Sequence, residues 1–129
     1  ETTDLDLYRS VLEGTSFEMK LNLETAESFG IHVEEMTATG GGANSALWLQ
    51  IKSDILRIPV RTLRSSEGEL CGCAMLCAVA LGTCSDLAQA RKAFVRYKDS
   101  YAPQEKYQGI YAGKYQKYRK LYQTLKEFY

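Results

Sequence analysis

Apolar residues recur at spacings of three and four along much of this chain, the spacing that places side chains on one face of a helix. The segment from Thr3 to Ser28 shows it over the greatest length and predicts a long first helix. Its stripe consists of Leu5, Tyr8, Leu12, Thr15, Met19, Leu23 and Ala26. The same spacing predicts further helices over residues 43–56 and 67–81, from a cap at Ser85 or Asp86 to about Tyr97, and from Gln104 to the end.

Residues that favour helix ends stand at the borders of these segments. Thr3 with Asp6 three positions later resembles a capping box, with Asp in the usual place of Glu. Gly30 predicts the carboxyl end of the first helix. Asn44 or Ser45 can cap the start of the second helix with a side-chain oxygen.

Two short segments between helices are predicted strands, over residues 31–39 and 58–62. A strand-helix-strand unit favours a parallel pair. We therefore predict a helix-rich α/β fold with two short parallel strands and a carboxy-terminal helical tail. Two strands leave both sheet edges open, so we expect them to pack against missing amino-terminal chain or a second copy.

Composition and length indicate one globular domain, with 129 residues, 45% apolar and 25% charged. The zero net charge hides a strong asymmetry. Residues 1–38 hold 9 acidic and 2 basic groups, and residues 91–129 hold 10 basic and 3 acidic groups. These ends either fold against each other or leave the basic end free for a polyanion.

Neither terminus nor interior shows a membrane or export signal. No apolar run reaches about 18 residues, the length that predicts a membrane span. Residues 1–4 do not resemble a signal peptide. The chain also starts without methionine, so we expect it to be a piece of a longer protein.

Three successive glycines, Gly40, Gly41 and Gly42, follow the first predicted strand and precede a helix. Glycines let the backbone adopt conformations closed to other residues, and they leave no side chain between a helix amino terminus and a ligand. A phosphate or nucleotide can lie there, and a tight turn without a ligand explains the run equally well. A P-loop is excluded because the next lysine is Lys52, and no acid follows at the distance that a dinucleotide fingerprint requires.

The spacing of the four cysteines and the single histidine does not match that of a metal site. Cys73 and Cys77 share a helical face from which Cys71 points away, and Cys84 follows the helix. We expect buried small side chains in a reducing compartment rather than zinc ligands or disulfides. His32 is expected to be structural or exposed.

Eight of the nine tyrosines follow residue 96, and five of them repeat at helical spacing. These are Tyr107, Tyr111, Tyr115, Tyr118 and Tyr122. Basic residues occupy the other faces of this helix, so stacking on single-stranded nucleic acid is one interpretation. An amphipathic helix that packs its tyrosine rings inward, with hydroxyls at the rim, is the favoured one.

The chain resembles the carboxy-terminal part of the FGGY carbohydrate kinases, with xylulokinase-like members nearest. The stretches that carry the resemblance are YRSVLEG at 8–14, TATGGGANSALWLQIKSDIL at 37–56, Pro59-Val60 and LCGCA at 70–74. It covers essentially the whole chain and is most specific from Thr37 to Val60.

This resemblance implies part of an actin-like ATPase (ribonuclease H-like) domain, with residues 1–129 as the carboxy-terminal portion of the nucleotide-binding domain. It implies that Gly40, Gly41 and Gly42 lie against the adenosine and phosphates of ATP. Ser45 matches a position that approaches the adenine, and Asn44 is a neighbouring candidate. The implied reaction transfers the γ-phosphate of ATP, with Mg²⁺, to a hydroxyl of a small sugar such as the pentulose xylulose, in the cytoplasm.

Parts of such an enzyme are missing from the sequence. The family's Asp-x-Gly-Thr phosphate loop, its sugar pocket and its catalytic aspartate are not found, so the chain alone is expected to be inactive. We expect no nucleic-acid or membrane partner. The alternative function is a non-catalytic adenine-nucleotide-binding or assembly module that keeps the glycine turn.

Overall fold

Helices and short strands alternate along the computed structural model, which describes residues 2–65 and 67–128. The helices are α1 (Asp4–Ser28), α2 (Ala46–Leu56), α3 (Gly68–Ala80), α4 (Leu87–Phe94) and α5 (Glu105–Leu125). The strands are β1 (Met36–Ala38), β2 (Val60–Leu63) and β3 (Tyr97–Tyr101), and 3₁₀ turns cover Gly41–Asn44 and Lys126–Phe128.

Both ends of α1 are set by the residues that the sequence marked. The Thr3 hydroxyl accepts the Asp6 N–H, and the Asp6 carboxylate accepts the Thr3 N–H at 3.0 Å, which completes a capping box. At the other end, Gly30 adopts φ +80°, and the Ile31 N–H donates to the Ala26 carbonyl. This left-handed glycine closes the last turn and confirms the predicted helix end.

The sheet contains one more strand than the sequence predicted. β1 and β2 are parallel, as expected, with Met36 opposite Val60. β3 is antiparallel to β2, with Val60 opposite Tyr101, and the sheet order is β1-β2-β3. The prediction of two strands, with a helix to Tyr97 and then a loop, is therefore wrong.

Contacts distant in sequence explain why residues 97–101 form a strand. The Ser53 hydroxyl of α2 donates to the Tyr101 carbonyl at 2.8 Å, and the Thr62 hydroxyl of β2 accepts the Asp99 N–H at 3.1 Å. The buried Asp54 carboxylate then accepts the Gln104 N–H at 2.7 Å, just before α5 begins. The segment is held in place by α2 and β2 rather than by its own periodicity.

One apolar cluster joins α1, α2 and α5. Its buried members are Leu12, Phe17, Ile51, Ile55, Tyr111 and Tyr115, and Trp48, Tyr107 and Tyr118 pack at its edge. Ring centroids of Phe17 lie 5.6–6.3 Å from those of three α5 tyrosines, a distance typical of favourable aromatic pairs. Four of the five tyrosines are thus turned inward, which confirms the favoured interpretation for them and keeps the buried rings of Tyr111 and Tyr115 from stacking on nucleic acid. The side chain of Tyr122, the fifth, lies outside the described part of the chain.

The face that α1 buries differs from the predicted stripe. Its buried residues are Leu12, Glu13, Ser16 and Phe17. Leu5 is 79% exposed and Tyr8 is 58% exposed, although both belong to the stripe. The contacts of α1 with α2 and α5 determine which side is covered, and the spacing of apolar residues does not specify this.

Acidic groups of α1 meet basic and phenolic groups of α5 around Glu13. The Glu13 carboxylate accepts hydrogen bonds from Lys114 Nζ at 2.6 Å and from Arg9 Nε at 2.9 Å. Tyr115 and Tyr118 donate their hydroxyl protons to Glu24 and Glu18, each at 2.8 Å. The oppositely charged ends of the chain therefore fold against each other.

These contacts shift the ionisation of Glu13 in a definite direction. Burial acts to raise the pKa of Glu13, but the hydrogen bonds from Lys114 and Arg9 outweigh it and leave this pKa below its ordinary value. Burial, with the hydrogen bond to Glu24, raises the pKa of Tyr115, so this phenol stays protonated as a donor.

Within residues 2–65 and 67–128, none of the helices combines the length and apolar character that crossing a bilayer requires.

Replacement of Glu13 by glutamine tests the contact between α1 and α5. The variant keeps the shape of the side chain but loses two charge-assisted hydrogen bonds, so we expect the free energy of unfolding to fall by about 1–2 kcal/mol. Urea denaturation measures this difference. Glu18→Gln is the control, because its exposed bond to Tyr118 should contribute less; equal losses in the two variants would contradict a special role for Glu13.

The pH dependence of stability gives a second test of Glu13. Because its folded-state pKa is depressed, its stabilising contribution is present above the unfolded pKa and is lost as the pH falls through the folded pKa. The difference in unfolding free energy between the original chain and Glu13→Gln should therefore be constant near neutral pH. It should shrink once the pH drops below the ordinary value of 4.5. A difference that grows on acidification would show that the sign is wrong.

Candidate functional site

The glycine turn connects the end of β1 to the start of α2. Gly40 has φ +71° and ψ −166°, a region that is essentially restricted to glycine. Its carbonyl accepts the Ala43 N–H at 3.1 Å, which starts the 3₁₀ turn. This turn occupies Gly41–Asn44, so α2 begins at Ala46 and not at Ala43 as predicted.

Glycine is also required at position 42, because another side chain lies close to it. A Cβ atom on Gly42 would lie 2.8 Å from Cζ3 of Trp48, closer than real side-chain contacts allow. A Cβ atom on Gly41, in contrast, would meet no atom of residues 2–65 and 67–128 within 4 Å. Backbone conformation therefore explains glycine at position 40 and packing explains it at position 42, whereas Gly41 is open to its surroundings.

Ser45 and Asn44 play different parts at the start of α2. The Ser45 hydroxyl accepts the Trp48 N–H at 3.3 Å, so Ser45 is the cap that the sequence offered as one of two candidates. Asn44 is exposed and lines a cavity beside the turn. All five predicted site residues thus lie in one continuous turn.

This cavity has a volume of about 470 Å³ and a mainly polar lining. Side chains of the turn, β2 and β3 meet there, among them Asn44, Thr62, Arg64, Lys98 and Asp99. Lys98 Nζ lies 3.5 Å from the Asp99 carboxylate. Sequence reasoning missed the two β3 residues because it missed the strand, and only the strand-forming tyrosines at both of its ends signalled them.

A second, mainly apolar cavity of about 720 Å³ lies between the sheet and the α3–α4 pair. Leu63, Met75 and Leu87 contribute to its lining, and Arg91 and Tyr97 add polar groups. The Arg91 guanidinium donates to the Tyr97 hydroxyl at 3.3 Å, and this bond is the main reason why the pKa of Tyr97 is lowered.

The first residue of α3 contacts the residue that precedes the glycine turn. A Cβ atom on Gly68 would lie 2.7 Å from Cγ2 of Thr39, so the two segments approach closely. Thr39 lines both cavities. The glycine turn therefore lies where α2, α3 and the sheet meet.

The cysteines do not share one environment, which corrects the expectation that they are buried. Cys84 is buried and Cys71 is half-buried, whereas Cys73 and Cys77 are exposed. Helix α3 contacts α4 through Ala78 and its neighbours, which leaves the face of Cys73 and Cys77 open. In the described parts of the chain, no group of three or more His, Cys, Asp or Glu side chains could hold a metal ion, and His32 is exposed.

Comparison with known proteins identifies the family. Residues 1–81 match the model of the FGGY family of carbohydrate kinases, C-terminal domain. The xylulose kinase of Staphylococcus epidermidis is 28% identical over 125 residues, which cover 97% of this chain and 25% of that protein. The L-fuculokinase of Salmonella typhi is 39% identical over 101 residues, which cover 78% of this chain and 21% of that protein.

Comparison with solved structures also finds a carbohydrate kinase. The crystal structure of xylulose kinase from Rhodospirillum rubrum matches 99% of this chain with a TM-score of 0.87 and 26% sequence identity, over 26% of that protein. This chain spans about a quarter of the length of these relatives. Its helix-rich α/β architecture with a small sheet is shared with that kinase. The chain therefore belongs to the FGGY family of carbohydrate kinases.

Proposed function

We propose that this chain is the carboxy-terminal part of the nucleotide-binding domain of an ATP-dependent sugar kinase with an actin-like fold. The complete protein would transfer the γ-phosphate of ATP to a hydroxyl of a small sugar in the cytoplasm, and a pentulose such as xylulose is the proposed substrate. Two observations support this proposal. The chain belongs to a kinase family, and several of its relatives are named xylulose kinases.

The observation that carries the nucleotide site is the run of three glycines between β1 and α2, whose middle member, Gly41, is open. Backbone strain requires glycine at position 40, and the Trp48 ring requires it at position 42. Among the described residues, no atom lies within 4 Å to account for the third glycine. Close approach of a ligand to the backbone would account for it, since a side chain at Gly41 would stand in the ligand's way.

The electrostatics of the turn fit an anionic ligand. The first N–H groups of a helical turn have no acceptor within the turn, and the amino-terminal end of α2 carries partial positive charge. Phosphate groups are stabilised by such an arrangement. We assign Gly40, Gly41 and Gly42 to the adenosine and phosphates of ATP. Asn44 and Ser45 are assigned to the adenine side, where the Ser45 hydroxyl is already engaged as a cap.

Phosphoryl transfer needs a phosphate cradle, a metal ion and a positioned hydroxyl acceptor together. This chain contributes part of the cradle. We assign no Mg²⁺ ligand to this chain. The catalytic base and the sugar pocket are proposed to lie on the remainder of the protein, which makes up about three quarters of the relatives' length.

A non-catalytic nucleotide-binding or assembly module is the second candidate function. The observation in its favour is that the glycine turn forms entirely from residues 40–45. The sequence that precedes Glu1 distinguishes the two functions. An Asp-x-Gly-Thr strand and an acidic base there support the kinase, and their absence supports the module.

Replacement of Gly41 by valine tests the nucleotide site in the full-length protein. We expect the KM for ATP, and the Kd for ADP measured by calorimetry, to rise at least tenfold, because the added side chain occupies the ligand's path. The melting temperature should stay near that of the original protein, since Gly41 has no neighbour within 4 Å. Gly109→Val, an equally open position on α5, is the control and should leave nucleotide affinity unchanged. Unchanged affinity in Gly41→Val would remove the turn from the site.

The isolated 129-residue chain provides a further test. We expect no sugar-dependent ATP turnover from it, because it supplies only part of the phosphate cradle. A coupled assay for ADP production, with the full-length protein as positive control, measures this. Turnover that co-purifies with the isolated chain would show that the chemistry lies within these residues.

A further inference from the structure

We propose that Trp48 is a positioning residue that holds the glycine turn in the shape that receives a nucleotide. The inference rests on the nucleotide site proposed above and concerns a residue that does not itself touch the ligand. The contacts of Trp48 with the turn, with the cap of α2 and with the apolar cluster together support it.

Gly42, Ser45 and Trp48 are connected by three contacts, one between each pair of residues. The Gly42 carbonyl accepts the Ser45 N–H at 3.4 Å, and the Ser45 hydroxyl accepts the Trp48 N–H at 3.3 Å. The Trp48 ring then returns to Gly42, where a Cβ atom would lie 2.8 Å from Cζ3 and 3.2 Å from Cε3. If the ring shifts, the turn can move. A side chain on Gly42 would displace the ring, the turn or both.

The same ring is anchored in the apolar cluster of α1, α2 and α5. Lys52, one turn further along α2, places its ammonium group 3.9 Å from the ring centroid, within the range of a cation–π interaction. Lys52 is half-buried, and this burial lowers the pKa of its ammonium group. Trp48 thus connects the apolar cluster to the turn.

The indole nitrogen of Trp48 shows that hydrogen bonding does not hold the ring. Nε1 is buried and has no hydrogen-bond partner in the described part of the chain. An unpaired buried donor is unfavourable, so a purely apolar side chain would suit this position better if the ring only filled space. A phenyl ring does not extend as far as the six-membered ring of the indole does. This six-membered ring is the part that lies beside Gly42.

Trp48→Phe separates these two roles in the full-length protein. The phenyl ring keeps an aromatic group against the cluster but does not extend to the positions of Cζ3 and Cε3. We expect the KM for ATP to rise about tenfold, while the KM for the sugar stays within twofold of its original value. Tyr107→Leu, which alters the same cluster from α5, is the control and should leave the KM for ATP unchanged.

A double-mutant cycle tests the contact directly. Gly42→Ala alone should raise the KM for ATP at least fivefold, because its methyl group collides with the ring. In Gly42→Ala/Trp48→Phe the collision is relieved, so the KM for ATP should stay within twofold of that of Trp48→Phe alone. If the fold-change in the KM for ATP of the double variant equals the product of the two single-variant fold-changes, the two residues act independently. That result would overturn the proposal.

The outcomes distinguish this inference from the nucleotide site itself. If Gly41→Val raises the KM for ATP and Trp48→Phe does not, the positioning role is wrong and the site stands. If neither variant changes it, the proposed site is wrong. If Trp48→Phe raises both KM values equally and lowers the melting temperature, its role is only structural and the proposal is overturned. Should Trp48→Phe fail to fold, a KM for ATP in Gly42→Ala equal to that of the original protein overturns it instead.

Discussion

The contact between α1 and α5 around Glu13 organises much of the structure described here. A carboxylate that is nearly excluded from solvent is costly unless charged donors satisfy it. Lys114 and Arg9 supply them, and Tyr111 adds its hydroxyl at 3.3 Å. Because Lys114 and Tyr111 come from the carboxy-terminal helix, this arrangement requires the two ends of the chain to lie side by side.

Helix α2 packs against both of these helices as well as the sheet. Its buried residues Ile51 and Ile55 belong to the cluster that α1 and α5 complete. The amino-terminal end of α2 carries the glycine turn, so the position of the turn is fixed by packing that occurs more than one helical turn away. Trp48 lies between these two regions, in contact with the cluster and beside Gly42.

The sheet shows a similar dependence on distant contacts. β1 and β2 form the parallel pair that leads into the glycine turn, and β3 adds an antiparallel strand along the other side of β2. Bonds from Ser53 and Thr62 hold β3 in position, and Asp54 directs the chain into α5. The polar cavity beside Asn44 exists because β3 brings Lys98 and Asp99 to the same end of the sheet as the turn.

Local sequence made both ends of α1, the cap of α2, the parallel pair and the glycine turn predictable, whereas the start of α2 at Ala46 and the end of α4 at Phe94 differ from the prediction. Capping at Thr3 and Ser45 and the left-handed glycines at 30 and 40 depend on neighbours only a few positions away, so their residue types specify them. Resemblance of the sequence around the turn likewise pointed to the family that the comparisons confirm. Tertiary structure alone decided the buried face of α1, the third strand and the reason for glycine at position 42. Each of these depends on a contact that the local sequence does not determine: α1 against α5, residues 97–101 against β2, and Gly42 against a ring held by the core.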